Sequence, residues 1–270
     1  MNKLATFCVA LLLLSGCGKN GISGRKQAKL MSEPQLQAMA LQEYKSFLTS
    51  AKVVSNTANR DAEMVRRIGN RIAQSVTAYY TAEGKGKLFD GYQWEFNLVD
   101  SKEVNAWCMP GGKVVVYTGL LPISQNEAAL AVVMGHEIAH ALLTHGNERM
   151  SQAMFAQLGQ IAGNVVLAND PQAVSIFDNL YGIGAQAGVL LPFGRKQEYE
   201  ADRFGLRFAA MAGYNPQEAV PLWQRMEKAG SGSQRPPEWL STHPSESNRI
   251  EQLNKYMAEA LTYYKPMNNK

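Results

Sequence analysis

Apolar positions recur with two different periods along this chain, and the change between them divides it. From Ser32 the stretch SEPQLQAMALQEYKSFL carries Leu36, Met39, Ala40 and Leu41 at helical spacing, behind a serine suited to the N-cap. DAEMVRRIGNRIAQSVTAYY, residues 61–80, repeats that period, so two helices come first. YQWEFNLVD then places Tyr92, Trp94, Phe96 and Leu98 at every second position, the period of a half-buried strand. NAWCMPGGKVVVYTG follows as two β-prone runs around Pro110-Gly111-Gly112, a hairpin with its turn at the glycines. A sheet of three or four strands is expected. From Ser124 the pattern is helical again, broken near Asp170-Pro171, Pro192-Phe193-Gly194, Gly213-Tyr214-Asn215-Pro216 and in GSGSQRPPE. The order predicts an α+β, mainly helical domain with one small sheet.

The first residues follow neither period. Lys3 precedes the apolar run LATFCVALLLL, which ends in LSGC, the pattern of a targeting signal. Leu14-Ser15-Gly16-Cys17 resembles the bacterial lipobox, whose cysteine is acylated and becomes the N-terminus after cleavage. Residues 1–16 are then a signal peptide and Cys17 a lipid anchor. Two or more acyl chains hold firmly, because each buried methylene contributes about 0.8 kcal/mol. The competing reading is a secretory peptide cut near Cys17, or an uncleaved signal anchor. Gly18 rather than aspartate follows, which by the enterobacterial sorting habit favours the periplasmic side of the outer membrane. GKNGISGRKQAK reads as flexible and basic, so residues 17–31 are expected to tether one domain, residues 32–270. Beyond residue 17 no run reaches the roughly 18 apolar residues of a membrane helix, so the chain would sit on the membrane without crossing it.

Composition acts mainly by exclusion. With 270 residues, 46 % hydrophobic and 19 % charged, the chain has enough apolar material for one catalytic domain. Its net charge of +4, with no basic run interleaved with aromatics, excludes nucleic acid as a partner. Cys8 leaves with the signal and Cys17 carries lipid, so Cys108 has no partner for an internal disulfide in the mature chain.

The chemistry begins at VVMGHEIAHALLTHG. Ser124 and Glu127 form an S-x-x-E capping box, and Leu130, Val133, Met134 and Ile138 give an apolar face, so a helix through residue 143 is predicted. His136 and His140 then project from one side, one turn apart, where two imidazoles can reach one metal ion. Glu137 lies about 100° around the axis. In H-E-x-x-H sites such a glutamate takes a proton from the metal's water and passes it to the leaving amine. A catalytic zinc requires a third protein ligand and leaves a fourth position for water. His145 does not fit the metzincin pattern, whose glycine and third histidine would fall on Leu143 and Gly146; it reads as a helix C-terminal residue followed by a glycine cap. GRKQEYEADRFGLRFAA is the better source. Glu198 and Asp202 share a helix face, so one can ligate while the other accepts from a ligating histidine. Glu200 reads as a solvated acid or a partner of Arg203 or Arg207.

HEIAH, EYEAD and the later THPSESNRI together resemble the M48 family of zinc metallopeptidases, and VNAWCMPGGKVVVYTGLL is similar to the family's N-A-F-x-x-P-G-G hairpin, with Trp107 in place of phenylalanine. The resemblance covers most of residues 60–255. It implies a zincin-like fold with the sheet beside the H-E-x-x-H helix. It also implies one zinc held by His136, His140 and Glu198, with Asp202 behind a ligand and Glu137 as the catalytic base. A peptide substrate would add to the strand edge at Asn105 and Ala106; alternatively the Asn105 side chain stabilises the turn into that strand. His243, before a proline, belongs to a loop. It could donate to the developing oxyanion, occupy the fourth zinc position in a latent enzyme, or cap the following helix at the surface. Arg249 would tie that loop down.

Chemistry and placement together imply a zinc endopeptidase acting on extended or unfolded polypeptides of the bacterial envelope in quality control, tethered through Cys17, with any assembly partner unidentified. A zinc amidase acting on peptidoglycan, and a zinc-bearing scaffold or chaperone, are the rival readings.

Overall fold

The structure is a computed structural model that describes residues 17–54, 59–160, 194–230, 238–243 and 248–266. The expected signal peptide, residues 1–16, and the breaks at residues 170–171 and 192–193 lie outside the described residues.

The chain opens with an antiparallel ribbon, β1 (Cys17–Lys19) and β2 (Lys26–Ala28), in the register Cys17 opposite Ala28. This corrects the expectation of a flexible tether. Amides fasten the ribbon beside the packing of Ile22: Asn20 Nδ2 donates to the Leu142 carbonyl at 3.1 Å and Gln27 Nε2 to that of Leu143 at 2.7 Å. Asn20 and Gln27 are both buried. Their partners are carbonyls at the end of the H-E-x-x-H helix, which have no acceptor role within that helix and need donors.

Helix α1 (Glu33–Ser50) starts where expected, with the backbone and hydroxyl of Ser32 both donating to Gln35 Oε1. Helix α2 (Arg60–Ala82) starts at Asn59, whose side chain accepts from the amides of Asp61 and Ala62. Between and above them lies the sheet of β3 (Glu95–Val99), β4 (Ala106–Met109) and β5 (Lys113–Tyr117), in the order β3-β5-β4. β5 runs parallel to β3 and antiparallel to β4. Gly111 and Gly112 turn the hairpin, both at φ +85°, a conformation that suits glycine. β5 is buried at every position, as a central strand covered on both faces must be.

The pleat divides the core in two. Phe96, Leu98, Val114 and Val116 face the main cluster with Val65, Ile68, Ile72 and Val76 of α2. Val99, Met109, Val115 and Tyr117 face the other way, under Leu36, Ala40, Tyr44 and Phe47 of α1. The half-buried strand expected from Tyr92 to Leu98 is therefore shorter and covered on both sides, beginning at Glu95. Its polar member Asn97 is accommodated by donating to Tyr44 Oη at 2.6 Å.

The short helix α3 (Leu121–Ser124) closes at Gln125 in the left-handed region, φ +64°. Helix α4 (Glu127–Leu142) then starts at Asn126, whose side chain accepts from Ala129 N–H at 2.8 Å. The expected Ser124 cap is displaced by this turn, and Ser124 Oγ donates back to Leu121. α4 is buried at every residue from Ala129 to Leu142, which makes it the central helix. Around it come α5 (His145–Gln160), α6 (Arg195–Met211), α7 (Ala219–Gly230), α8 (Glu238–Thr242) and α9 (Arg249–Leu261). Among the described residues, no helix is long and apolar enough to cross a membrane.

Candidate metal centre

α4 and α6 carry the site, and two glycines let them meet. A Cβ on Gly135 would stand 2.7 Å from the Gly205 carbonyl oxygen, and one on Gly205 would stand 2.8 Å from the His136 Cα. Both obstacles are backbone, so neither can turn aside. This contact places His136 and His140 opposite Glu198 and Asp202. Gly205→Ala is expected to push the helices apart, destabilising the fold by about 1–3 kcal/mol and weakening metal binding; thermal melting with a chelator-competition titration checks both.

Four donor groups converge: one ligand atom from each of His136, His140, Glu198 and His243 lies within 4.8 Å of all the others. His136 Nε2 stands 3.0 Å from His140 Nε2 and 3.3 Å from His243 Nδ1. Glu198 lies 3.3 Å from His140 Nε2, 3.0 Å from His243 Nδ1 and 3.6 Å from His136 Nε2. Tetrahedral zinc with bonds of about 2.0–2.1 Å sets its ligand atoms roughly 3.3–3.4 Å apart. The cluster fits one zinc ion in both spacing and donor chemistry.

Each ligand is held from behind. Asp202 Oδ1 lies 3.0 Å from His136 Nδ1 and turns Nε2 toward the cluster. The Arg249 guanidinium forks onto Asp202 with two bonds of 2.8 Å and reaches Glu198 Oε2 at 3.0 Å. Its Cζ lies 3.7 Å from the Trp223 ring centroid. Burial alone would raise the Glu198 carboxyl, but the charges of His243 and Arg249 and the histidine hydrogen bonds outweigh it and hold it well below the usual range. Asp202 behaves likewise, with Arg249 and His136 overcoming burial. Burial also opposes charge on His136, yet its bond to Asp202 and the nearby acids raise its pKa; for His140 burial prevails and its pKa falls well below normal.

Glu137 stands beside the cluster, 2 % exposed. Its Oε1 accepts from Trp239 Nε1–H at 2.6 Å and lies 3.6 Å from His243 Nε2. Sequence reasoning missed Trp239, which a single aromatic in a Pro-rich surrounding does not announce.

Three expectations need correction. His145 does not end α4: the chain turns at Thr144, φ +55°, and His145 opens α5, with Gly146 inside that helix rather than capping the previous one. It is fully buried and lies 2.9 Å from His140, Nδ1 to Nδ1. Glu200 is not a solvated acid; it meets His145 Nε2 at 3.0 Å and accepts from Arg25 Nε at 2.7 Å. Arg203 and Arg207 pair with Glu259 instead. His243 is 2 % exposed, which removes the surface-cap reading. Arg249 reaches the His243 carbonyl at 3.4 Å, the tie expected for that loop.

Asn105 and Ala106 lie at the start of β4, an edge strand of the described sheet, and both are buried. Asn105 Oδ1 accepts from Ala106 N–H at 2.9 Å, the geometry of a residue stabilising the turn into the strand. The preceding Val104 carbonyl accepts from Trp239 N–H at 3.1 Å, which docks α8 over this end.

The sequence profile of peptidase family M48 matches residues 59–257, the span that contains all four donors, Glu137, Asp202 and Arg249. The chain belongs to peptidase family M48. Among its relatives, the mitochondrial metalloendopeptidase OMA1 of Bos taurus is 33 % identical over 92 % of this chain and 46 % of its own length. The OMA1 metalloendopeptidase of Saccharomyces cerevisiae is 32 % identical over 69 % of this chain and 54 % of its own. The β-barrel assembly-enhancing protease of Escherichia coli is 30 % identical over 58 % of this chain and 33 % of its own. This M48 chain thus spans about half the length, or less, of these relatives. Zinc is the metal that both the family and the donor set indicate.

Proposed function

We propose that the chain is a zinc-dependent endopeptidase that cuts unfolded or misassembled proteins of the bacterial envelope. The observation that carries this reading is the buried Glu137 carboxylate, oriented by Trp239 beside the four-donor cluster. When bound, zinc supplies the Lewis acid that polarises a scissile carbonyl and acidifies water. Glu137 receives the proton that water gives up and returns it to the leaving amine. The Trp239 indole N–H holds the carboxylate at the angle this transfer needs. The β4 edge takes extended backbone by main-chain hydrogen bonds, with little regard to sequence, which restricts substrates to unfolded segments. Asn105 would release Ala106 to engage such a segment.

His243 Nδ1 stands at ligand distance from Glu198 and His136, which favours its reading as a fourth ligand over that of an oxyanion donor in this state. A closed shell of four protein donors is latent until one leaves. For place and role, the support is the lipobox with Gly18, and the name of the Escherichia coli relative, which links an M48 chain to β-barrel assembly. An acylated Cys17 would hold the chain on the periplasmic side of the outer membrane, within reach of membrane-associated substrates.

The test uses the detergent-solubilised chain and its His243→Ala variant, each assayed for zinc content and for cleavage of an unfolded protein. One zinc per chain is expected, with cleavage abolished by chelation, restored by zinc and faster in the variant. Zinc without cleavage in either form would point to the scaffold, and release of peptides from purified sacculi to the amidase. Loss of cleavage in the variant alone would assign His243 to the oxyanion.

A further inference from the structure

The histidine that follows the metal helix, an acid on α6 and an arginine on the N-terminal ribbon form an unbroken line to a metal ligand. His140 Nδ1 meets His145 Nδ1 at 2.9 Å, His145 Nε2 meets Glu200 Oε2 at 3.0 Å, and that oxygen accepts from Arg25 Nε at 2.7 Å. Arg25 is fixed in turn by a fork of two 2.6 Å bonds to Glu148 on α5, whose Oε2 also accepts from Gln197 of α6. Three helices and the ribbon therefore meet on one chain of contacts.

Proton bookkeeping gives the line a direction. A carboxylate only accepts, so His145 Nε2 must carry hydrogen toward Glu200. Two facing Nδ1 atoms bond only if one donates and the other accepts. If His145 donated there, His140 Nδ1 would be bare and its hydrogen would sit on Nε2, facing the other ligand atoms, where a metal could not bind. With His145 accepting, His140 Nδ1–H is satisfied and its Nε2 lone pair points at Glu198 and His136. Of the two arrangements only the second is compatible with ligation.

We propose that Arg25, Glu200 and His145 are positioning residues for the metal ligand His140, so that the N-terminal ribbon is a working part of the metal centre. Asp202 does the same for His136, but from within the stretch matched by the family; Arg25 lies outside it. The consequence is a physical coupling between the segment beside Cys17 and the zinc: pulling the ribbon away from α4 removes the last member of the line.

This inference rests on the reading of the cluster as a zinc site, and the experiment separates the two. Zinc affinity of the full chain is measured by competition with a chromophoric chelator, alongside the rate of zinc release and the melting temperature. A native chain that takes up no zinc would overturn the site and the inference with it. Given zinc binding, His145→Ala is expected to weaken affinity by about 10–100-fold and Arg25→Ala by about tenfold. His145→Gln, whose amide oxygen can accept from His140 while its nitrogen donates to Glu200, is expected to recover most of the loss. Asn20→Ala removes one fastening of the ribbon, its bond to Leu142, while the Arg25 fork to Glu148 keeps the line in place, so it should lower the melting temperature and leave affinity within about threefold of native. If His145→Ala fails to fold, Arg25→Ala and His145→Gln carry the comparison. The proposal is overturned if Arg25→Ala and the His145 variants bind zinc like the native chain, or if affinity follows melting temperature equally in Asn20→Ala.

Discussion

Glu137→Gln is expected to lower peptide hydrolysis by about 10²–10⁴-fold while leaving zinc content and melting temperature near native. Glutamine keeps the size of the side chain and an oxygen that can still accept from Trp239 Nε1–H, a bond of 2.6 Å in the native chain. What it loses is the capacity to take up a proton. Glu137 is not among the four converging donors, so the metal should stay. The measurement is kcat/KM on an unfolded substrate with zinc quantified on the same sample. A variant that retained more than about a tenth of native activity would show that a different group accepts the proton. A variant that lost its zinc would instead place Glu137 in the coordination shell.

The parts of the site legible in the sequence are those that chemistry constrains by spacing along one helix. His136 and His140 must stand one turn apart, Glu198 and Asp202 likewise, and each pair falls within a single helical element. The glycine turn of the β4–β5 hairpin and the Ser32 start of α1 were equally local, set by backbone conformation and capping. What escaped sequence reasoning depends on packing between distant segments. Arg25 reaches Glu148 and Glu200 across 123 and 175 positions, and no local pattern encodes that pairing. Its ribbon resembles a tether in composition because polar groups, the amides of Asn20 and Gln27 and the Arg25 guanidinium, do much of the fastening. Gly135 and Gly205 carry no signal in the sequence; only the crossing of α4 and α6 reveals that a methyl group at either would collide with backbone. Ser124 and Asn126 are both good caps two positions apart, and the left-handed turn at Gln125 decides between them.

A common arrangement joins these features to those the sequence announced. Three of the four donors lie on α4 and α6 and His243 follows α8, and their neighbours fix the orientation: Asp202 and Arg249 on one flank, His145, Glu200 and Arg25 on the other, with Trp239 bonded to Glu137. Long-range contacts thereby join the N-terminal ribbon and the C-terminal segments to the two helices that carry the ligands. Motif residues define the reaction, and residues far from them in sequence set how firmly those motifs are aimed.

Arg249→Met should be the most destabilising of the substitutions considered, by about 3–5 kcal/mol. Arg249 is 1 % exposed and is the cation between two buried carboxylates, hydrogen-bonded to both oxygens of Asp202 and ion-paired with Glu198 Oε2 at 3.0 Å. Methionine would approximate the aliphatic stem but lose the guanidinium that lies over Trp223, and would leave both acids without that charge. The cost is the uncompensated burial of the acids rather than the lost attraction alone. Zinc offers partial relief, because its charge sits among the ligand atoms beside Glu198. The deficit relative to native should therefore be larger after chelation than in the zinc-loaded protein. Denaturant unfolding with and without chelator reads both values. Arg249→Lys keeps a charge but loses the planar fork, so its loss should be intermediate and its zinc affinity reduced. If Arg249→Met unfolded within about 1 kcal/mol of native in the chelated state, the two acids would have to be neutral there, and the electrostatic account of the centre would fail.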